Sequence, residues 1–184
     1  MEGKGRITGH TGLLALIGSP VGHSGSPAMY NYSFEKLGLD YAYVAFDIKV
    51  EEVKAAVDAM RLFHMRGCNV TMPCKTEAAK YMDELSPAAR IIGAVNTIVN
   101  EDGKLIGHMT DGEGFVGNLR DHGIEIKGKK ITVAGGGGAA TAIQVQCALD
   151  GAREISIFNI KDDFFERTLE TAEKIRKEVP GIVC

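Results

Sequence analysis

Apolar and polar positions fall into short blocks whose periods change along the chain. "LLALIG" (13–18) is a continuous apolar run and predicts a buried strand. "SPAMYNYSFEKLG" follows, with Ser26 placed to cap a helix, Pro27 at its first position and Gly38 as its stop. "YAYVAFDI" (41–48) is rich in aromatic and β-branched residues and predicts a strand. In "VEEVKAAVDAMRLF" (50–63), Val53, Ala56, Val57 and Met60 recur at helical spacing. "GCNVTMP" (67–73) predicts another short strand, ended by Pro73.

The next apolar runs lie on either side of "NEDGK" within "GAVNTIVNEDGKLIGHMTD", and Asp-Gly between such runs signals a hairpin. "GEGFVGNLRDHGI" predicts a helix with Phe115, Val116 and Leu119 on one face. "IKGKK" (126–130) is polar and short, and is the candidate linker between domains 1–126 and 127–184. Beyond it, "ITVAGGGGAATAIQVQCALDGAREISIFNIKDD" runs strand, glycine turn, helix, strand, which is a βαβ unit. Residues 163–179 form a second amphipathic helix, and "GIVC" opens a third strand. The pattern implies an α/β fold. An N-terminal α/β domain precedes a Rossmann-like, doubly wound, parallel-sheet domain that is incomplete, since such a sheet needs further strands. A half-built parallel sheet is expected to leave an unpaired apolar edge.

Composition narrows the classes. The chain has 184 residues, 45% hydrophobic and 24% charged, with a net charge of −3. That suits a globular domain and gives no basic field for nucleic acid. No apolar run is long enough to span a bilayer, and the N-terminus has no signal-peptide core. Cys68, Cys74, Cys147 and Cys184 form no C-x-x-C pair. They are read as reduced thiols of a cytoplasmic protein, with no metal site.

Gly135, Gly137 and Ala140 fit G-x-G-x-x-G/A, with Gly136, Gly138 and Ala139 between them. A phosphate needs backbone N–H groups pointing at it and no Cβ in the way, and the helix N-terminus adds positive potential. The bare pattern also fits a tight strand–helix turn with no ligand. A strand before it, a helix after it, and Asn159, Lys161 and Asp162 at the end of the next strand favour a dinucleotide. Asp162 suits the two adenosine ribose hydroxyls and repels a 2′-phosphate, a repulsion Lys161 partly offsets. Asp162 also suits the N-cap of the following helix.

Polar residues gather where core strands end: "HSGSP" (23–27), "NVTMPCK" (69–75), and "AVNT" (94–97) with "MTDGEG" (109–114). These motifs, with "GGGGAAT" and "FNIKDDFFE" in order along nearly the whole chain, resemble the shikimate/quinate dehydrogenases. "NIKDD" resembles the branch that accepts NAD. The resemblance implies hydride transfer between NAD or NADP, with NAD favoured, and a ring hydroxyl of shikimate or quinate. That reaction belongs to the shikimate pathway, toward chorismate and the aromatic amino acids. Lys75 matches the family's catalytic lysine, and Asp111 the aspartate that pairs with it. Ser24 and Ser26 match the pair that binds the substrate carboxylate, and Thr71 and Asn96 the positions that bind ring hydroxyls. From the residues alone, Lys75 also reads as a solvated lysine, Ser26 as a helix cap, and Thr71 and Asn96 as turn residues. His23 and His108 read as scaffold residues.

Met109 departs from the family, which has Asn there, and altered local hydrogen bonding is expected. The chain also stops short of the family's later strands. The alternative reading is therefore a truncated, non-catalytic remnant that binds substrate or cofactor or associates with a partner. A homodimer is compatible with the family.

Overall fold

The computed structural model describes residues 7–161 and 165–184. Its elements, numbered in chain order, fall into two compact units: residues up to 85 with 94–108, and 86–93 with 109–184.

The first unit is built on a six-stranded sheet. β1 (Gly12–Gly18) is flanked by β2 (Tyr41–Asp47) and β3 (Gly67–Val70), both parallel to it. β5 (Thr97–Glu101) runs antiparallel to β3, β6 (Lys104–His108) antiparallel to β5, and the two-residue β4 (Glu84–Leu85) closes the order β2-β1-β3-β5-β6-β4. The β5–β6 turn puts Asp102 at φ 51° and Gly103 at φ 99°. This is the primed geometry that Asp-Gly favours, and the Asn100 side chain braces it by accepting the Gly103 N–H at 2.8 Å.

Three helices join these strands. α1 (Ser26–Leu37) stops at Gly38, which adopts φ 66°. Its N-cap position is Gly25, so Ser26 opens the helix instead of capping it and Pro27 moves to the second position. The reason is local: the Ser24 hydroxyl accepts the Ser26 N–H at 3.2 Å. A 3-10 turn over Val50–Glu52 precedes α2 (Val53–Leu62), which buries Val53, Val57 and Met60 as its period predicts. α3 (Lys75–Ala79) is too short for a periodic signal. β2 is the sheet's outer strand, and Asn31 of α1 closes part of its free edge. The Asn31 amide donates to the Tyr43 carbonyl at 2.7 Å and accepts the Tyr43 N–H at 3.0 Å.

The second unit contains the βαβ motif: β7 (Lys130–Ala134), α6 (Gly138–Leu149) and β8 (Glu154–Phe158), with the strands parallel. α7 (Phe165–Glu178) follows, and Val183 bridges to Glu154, so the final residues align beside β8 as the sequence predicts. Ile131, Val133, Ile155 and Ile157 share one sheet face. The exposed positions of β7 are Lys130, Thr132 and Ala134, and Lys130 pairs with Glu154 at 2.6 Å. The face they share with Glu154, Ser156 and Phe158 is polar except at its end, where Phe158 is exposed.

The division at 126 is also revised. α4 (Pro87–Ile92) and α5 (Asp111–Asp121) belong to the second unit. Gly112 of α5 lies so close to the Ala142 carbonyl of α6 that a Cβ there would collide. α5 buries Gly112 and Val116, while Phe115, expected on the buried face, stays exposed. "IKGKK" is packed and not a linker: Ile126 is buried, and the Gly128 N–H donates to the Gly151 carbonyl at 2.8 Å.

Gly18 ends β1 at φ 153°, and a Cβ on it would run into the Thr71 side chain and the Met72 carbonyl. Gly18→Ala should therefore lose about 1–3 kcal/mol of unfolding free energy through strain and overpacking. Gly117 in α5 has open space around it, so Gly117→Ala should gain up to about 1 kcal/mol from helix propensity. Urea titrations of both variants check the opposed signs.

Candidate active site

β1 and β3 are parallel neighbours, so both strands end on the same side of the sheet. Two backbone bonds extend their pairing past the strands. The Thr71 N–H donates to the Ile17 carbonyl at 2.8 Å, and the Ser19 N–H to the Met72 carbonyl at 3.1 Å. The loops after the two strands are thereby held against each other. Between them is a cavity of about 320 Å³, lined by Ser19, His23, Ser24, Ser26 and Thr71 over a floor that includes Leu16. Three of the residues singled out in the sequence thus meet in one pocket. Its lining holds four hydroxyls, one imidazole and neither Lys nor Arg.

Asn96 reaches the same edge by another route. β5 is antiparallel to β3, so the residue preceding β5 meets the end of β3. The Asn96 carbonyl accepts the Val70 N–H at 2.8 Å, and its own N–H donates to the His108 carbonyl at 2.9 Å. Asn96 is buried. Lys75 opens α3, and its carbonyl accepts the Val95 N–H at 3.0 Å. Thr71, Lys75 and Asn96 are therefore tied through adjoining backbone within the first unit. Asp111 is exposed at the first residue of α5, in the second unit. Met109 is buried, so an apolar side chain takes the place of the family's amide.

The His108 carbonyl accepts the Asn96 N–H, and His23 is exposed and lines the pocket. Ser19 is the pocket residue that the motifs leave out. Its signal in the sequence was only its place one residue past the first strand.

The glycine turn lies in the second unit. Gly135 takes φ 114°, and its N–H donates to the Phe158 carbonyl at 2.7 Å, tying the turn to the end of β8. The Gln144 amide donates to the Gly135 carbonyl at 2.9 Å. Gly136 is packed against Asn159 and Thr168, which fill the space a Cβ would need, and Asn159 donates to Thr168 at 3.4 Å. Gly137 and Gly138 have open space where a Cβ would sit. α6 starts at Gly138, and Ala139 and Ala140 complete a first turn of small residues. The first N–H groups of a helix have no acceptor within it, and here small residues leave them approachable, a cradle that fits a pyrophosphate. Lys161 is exposed beyond Asn159. Asp162 lies outside the described residues.

Burial pushes Cys68 up to about 12 and Cys147 to about 11, so both stay protonated at neutral pH. Among the described residues, no helix is long and apolar enough to cross a membrane.

Known proteins are similar to the chain over nearly all of its length. Residues 16–98 match the shikimate dehydrogenase substrate binding domain. A shikimate dehydrogenase (NADP(+)) of Listeria monocytogenes serotype 4b is 56% identical over 173 residues, covering 94% of this chain and 60% of that relative. The crystal structure of shikimate 5-dehydrogenase from Listeria monocytogenes, in complex with shikimate and NAD, matches with a TM-score of 0.93 at 54% identity. That match covers 97% of this chain and 62% of the other. Ligand-free 5-ketofructose reductase of a Gluconobacter strain matches with a TM-score of 0.87 at 32% identity, over 96% of this chain and 62% of the other. The chain spans about three fifths of the length of the curated relatives it matches. With its substrate-domain match, its sequence identity and its structural likeness in agreement, the chain is similar over nearly its whole length to shikimate dehydrogenases.

Proposed function

We propose that this chain carries the substrate pocket and part of the cofactor site of an NAD(P)-dependent shikimate dehydrogenase. The observation that carries the reading is the hydroxyl-lined pocket at the joined ends of β1 and β3. Ser24 and Ser26 offer hydroxyl donors to a carboxylate and Thr71 a hydroxyl to the ring, and Asn96, beside the end of β3, offers an amide to a ring hydroxyl. A polyhydroxylated ring carboxylate fits that set, and a solved relative holds shikimate. Among ring carboxylates we favour shikimate and keep quinate as the second substrate.

The turn from Gly135 to Ala140 would hold the dinucleotide, with Asn159 and Lys161 toward the adenosine, and the sequence assigns Asp162 to the ribose hydroxyls. When bound, the dinucleotide supplies or accepts the hydride. In the reductive direction, Lys75 gives a proton from Nζ to the oxygen that becomes the ring hydroxyl. The resemblance pairs Asp111 with this lysine, as the carboxylate that binds the same substrate hydroxyl. NAD is the favoured cofactor, because Asp162 suits free ribose hydroxyls. Curated relatives bear NADP(+) in their names, while the solved Listeria monocytogenes relative holds NAD. The reaction is placed in the cytoplasm, where the four free thiols stay reduced.

Cofactor reduction assays with shikimate and quinate, each with NAD and NADP, test the reading. Shikimate-dependent reduction is expected, and Lys75→Ala should lower turnover about 10²–10⁴-fold with thermal stability retained. A near-parental rate in Lys75→Ala would remove that residue from the chemistry. Asp162→Ala should weaken NAD more than NADP, and equal losses would reduce Asp162 to a helix cap.

A further inference from the structure

Thr71 lines the pocket just past β3, and Asn96 lies beside the end of β3 just before β5, so something must fix their relative place. Asn69 is built to do this. β1 lies between β2 and β3, with Leu14 opposite Tyr43 and Leu16 opposite Asn69. Paired residues of parallel strands share a face, as do residues two apart, so Tyr43, Leu14, Leu16 and Asn69 lie on one side of the sheet. Leu16 is in the pocket floor, so this is the pocket's side.

Across β1, the Tyr43 phenol donates to Asn69 Oδ1 at 2.8 Å. Asn69 Nδ2 donates to the Thr97 hydroxyl at 3.2 Å and to the Asn96 carbonyl at 3.4 Å. Both Nδ2 hydrogens therefore have acceptors, and the amide's orientation is set by the phenol on its other side. Burial raises the Tyr43 phenol far above its ordinary range, so it remains a donor at any pH the protein meets. The ring is itself held, stacked on Tyr30 at 4.5 Å between centroids and 18° between planes. Asn31 clamps the Tyr43 backbone from α1.

We infer that Asn69, oriented by Tyr43, is a positioning residue for the substrate pocket: it holds the Asn96 carbonyl while Thr71 follows two residues later, just past the end of β3. It acts through Thr71 and Asn96, and on the substrate half alone. The inference rests on the proposed shikimate reading, and the experiment separates the two.

Shikimate and NAD are titrated calorimetrically into the 184-residue protein and its variants, with thermal unfolding run beside each. The parent should bind shikimate, and absence of binding would overturn the substrate reading and this inference with it. Given parental binding, Asn69→Ala should weaken shikimate roughly tenfold, the size of one lost hydrogen bond, with NAD affinity unchanged. Tyr43→Phe keeps the ring packing and should weaken shikimate by a smaller factor, about threefold, in the same direction. Parental shikimate affinity in both variants would overturn the positioning role. Equal losses of shikimate and NAD affinity would also overturn it, as the mark of general destabilisation.

Discussion

Two backbone hydrogen bonds hold together the strand ends of the first unit: Thr71 N–H to the Ile17 carbonyl and Ser19 N–H to the Met72 carbonyl. They prolong the parallel pairing of β1 and β3 beyond the last strand residues. Parallel neighbours end side by side, and ligands of open α/β sheets settle at such ends. Gly18 is the condition for this junction, because any side chain there would push the Thr71 loop away. Once the loops are held, Ser19, Ser24, Ser26 and Thr71 are carried to one pocket. The switch to an antiparallel partner then does what another parallel strand could not. It brings the start of β5, and with it Asn96, to the same edge.

The second unit solves a related problem with glycine. A backbone that approaches a phosphate must be bare on the ligand side and braced on the other. Gly137 and Gly138 are open, while Gly136 is packed against Asn159 and Thr168. Gln144 and the Phe158 carbonyl grip Gly135 from α6 and β8. The four consecutive glycines are thus a fixed turn, and their separate environments divide the labour that the motif only names.

Much of this was legible because the signals are local. Asp102-Gly103 foretells the hairpin through the positive φ angles it requires. The period of Val53, Val57 and Met60 foretells the buried face of α2. Ser24, Ser26 and Thr71 stand in motifs, and they meet in space. What was hidden depends on contacts between distant segments. "IKGKK" looks like a linker, yet Ile126 is buried and Gly128 bonds to Gly151. α5 joins the second unit because Gly112 packs on α6, which no window around residue 112 reveals. Ser26 lost its cap role to the neighbouring Ser24 hydroxyl. α3 and α4 are too short for periodicity to register. The Tyr43–Asn69 bond crosses an intervening strand, so it has no sequence signature at all.

A crystal structure of the protein with shikimate is the decisive measurement. The carboxylate is expected within hydrogen-bonding distance of the Ser24 and Ser26 hydroxyls, with ring hydroxyls at Thr71 and Asn96. A carboxylate bound away from both serines would contradict it.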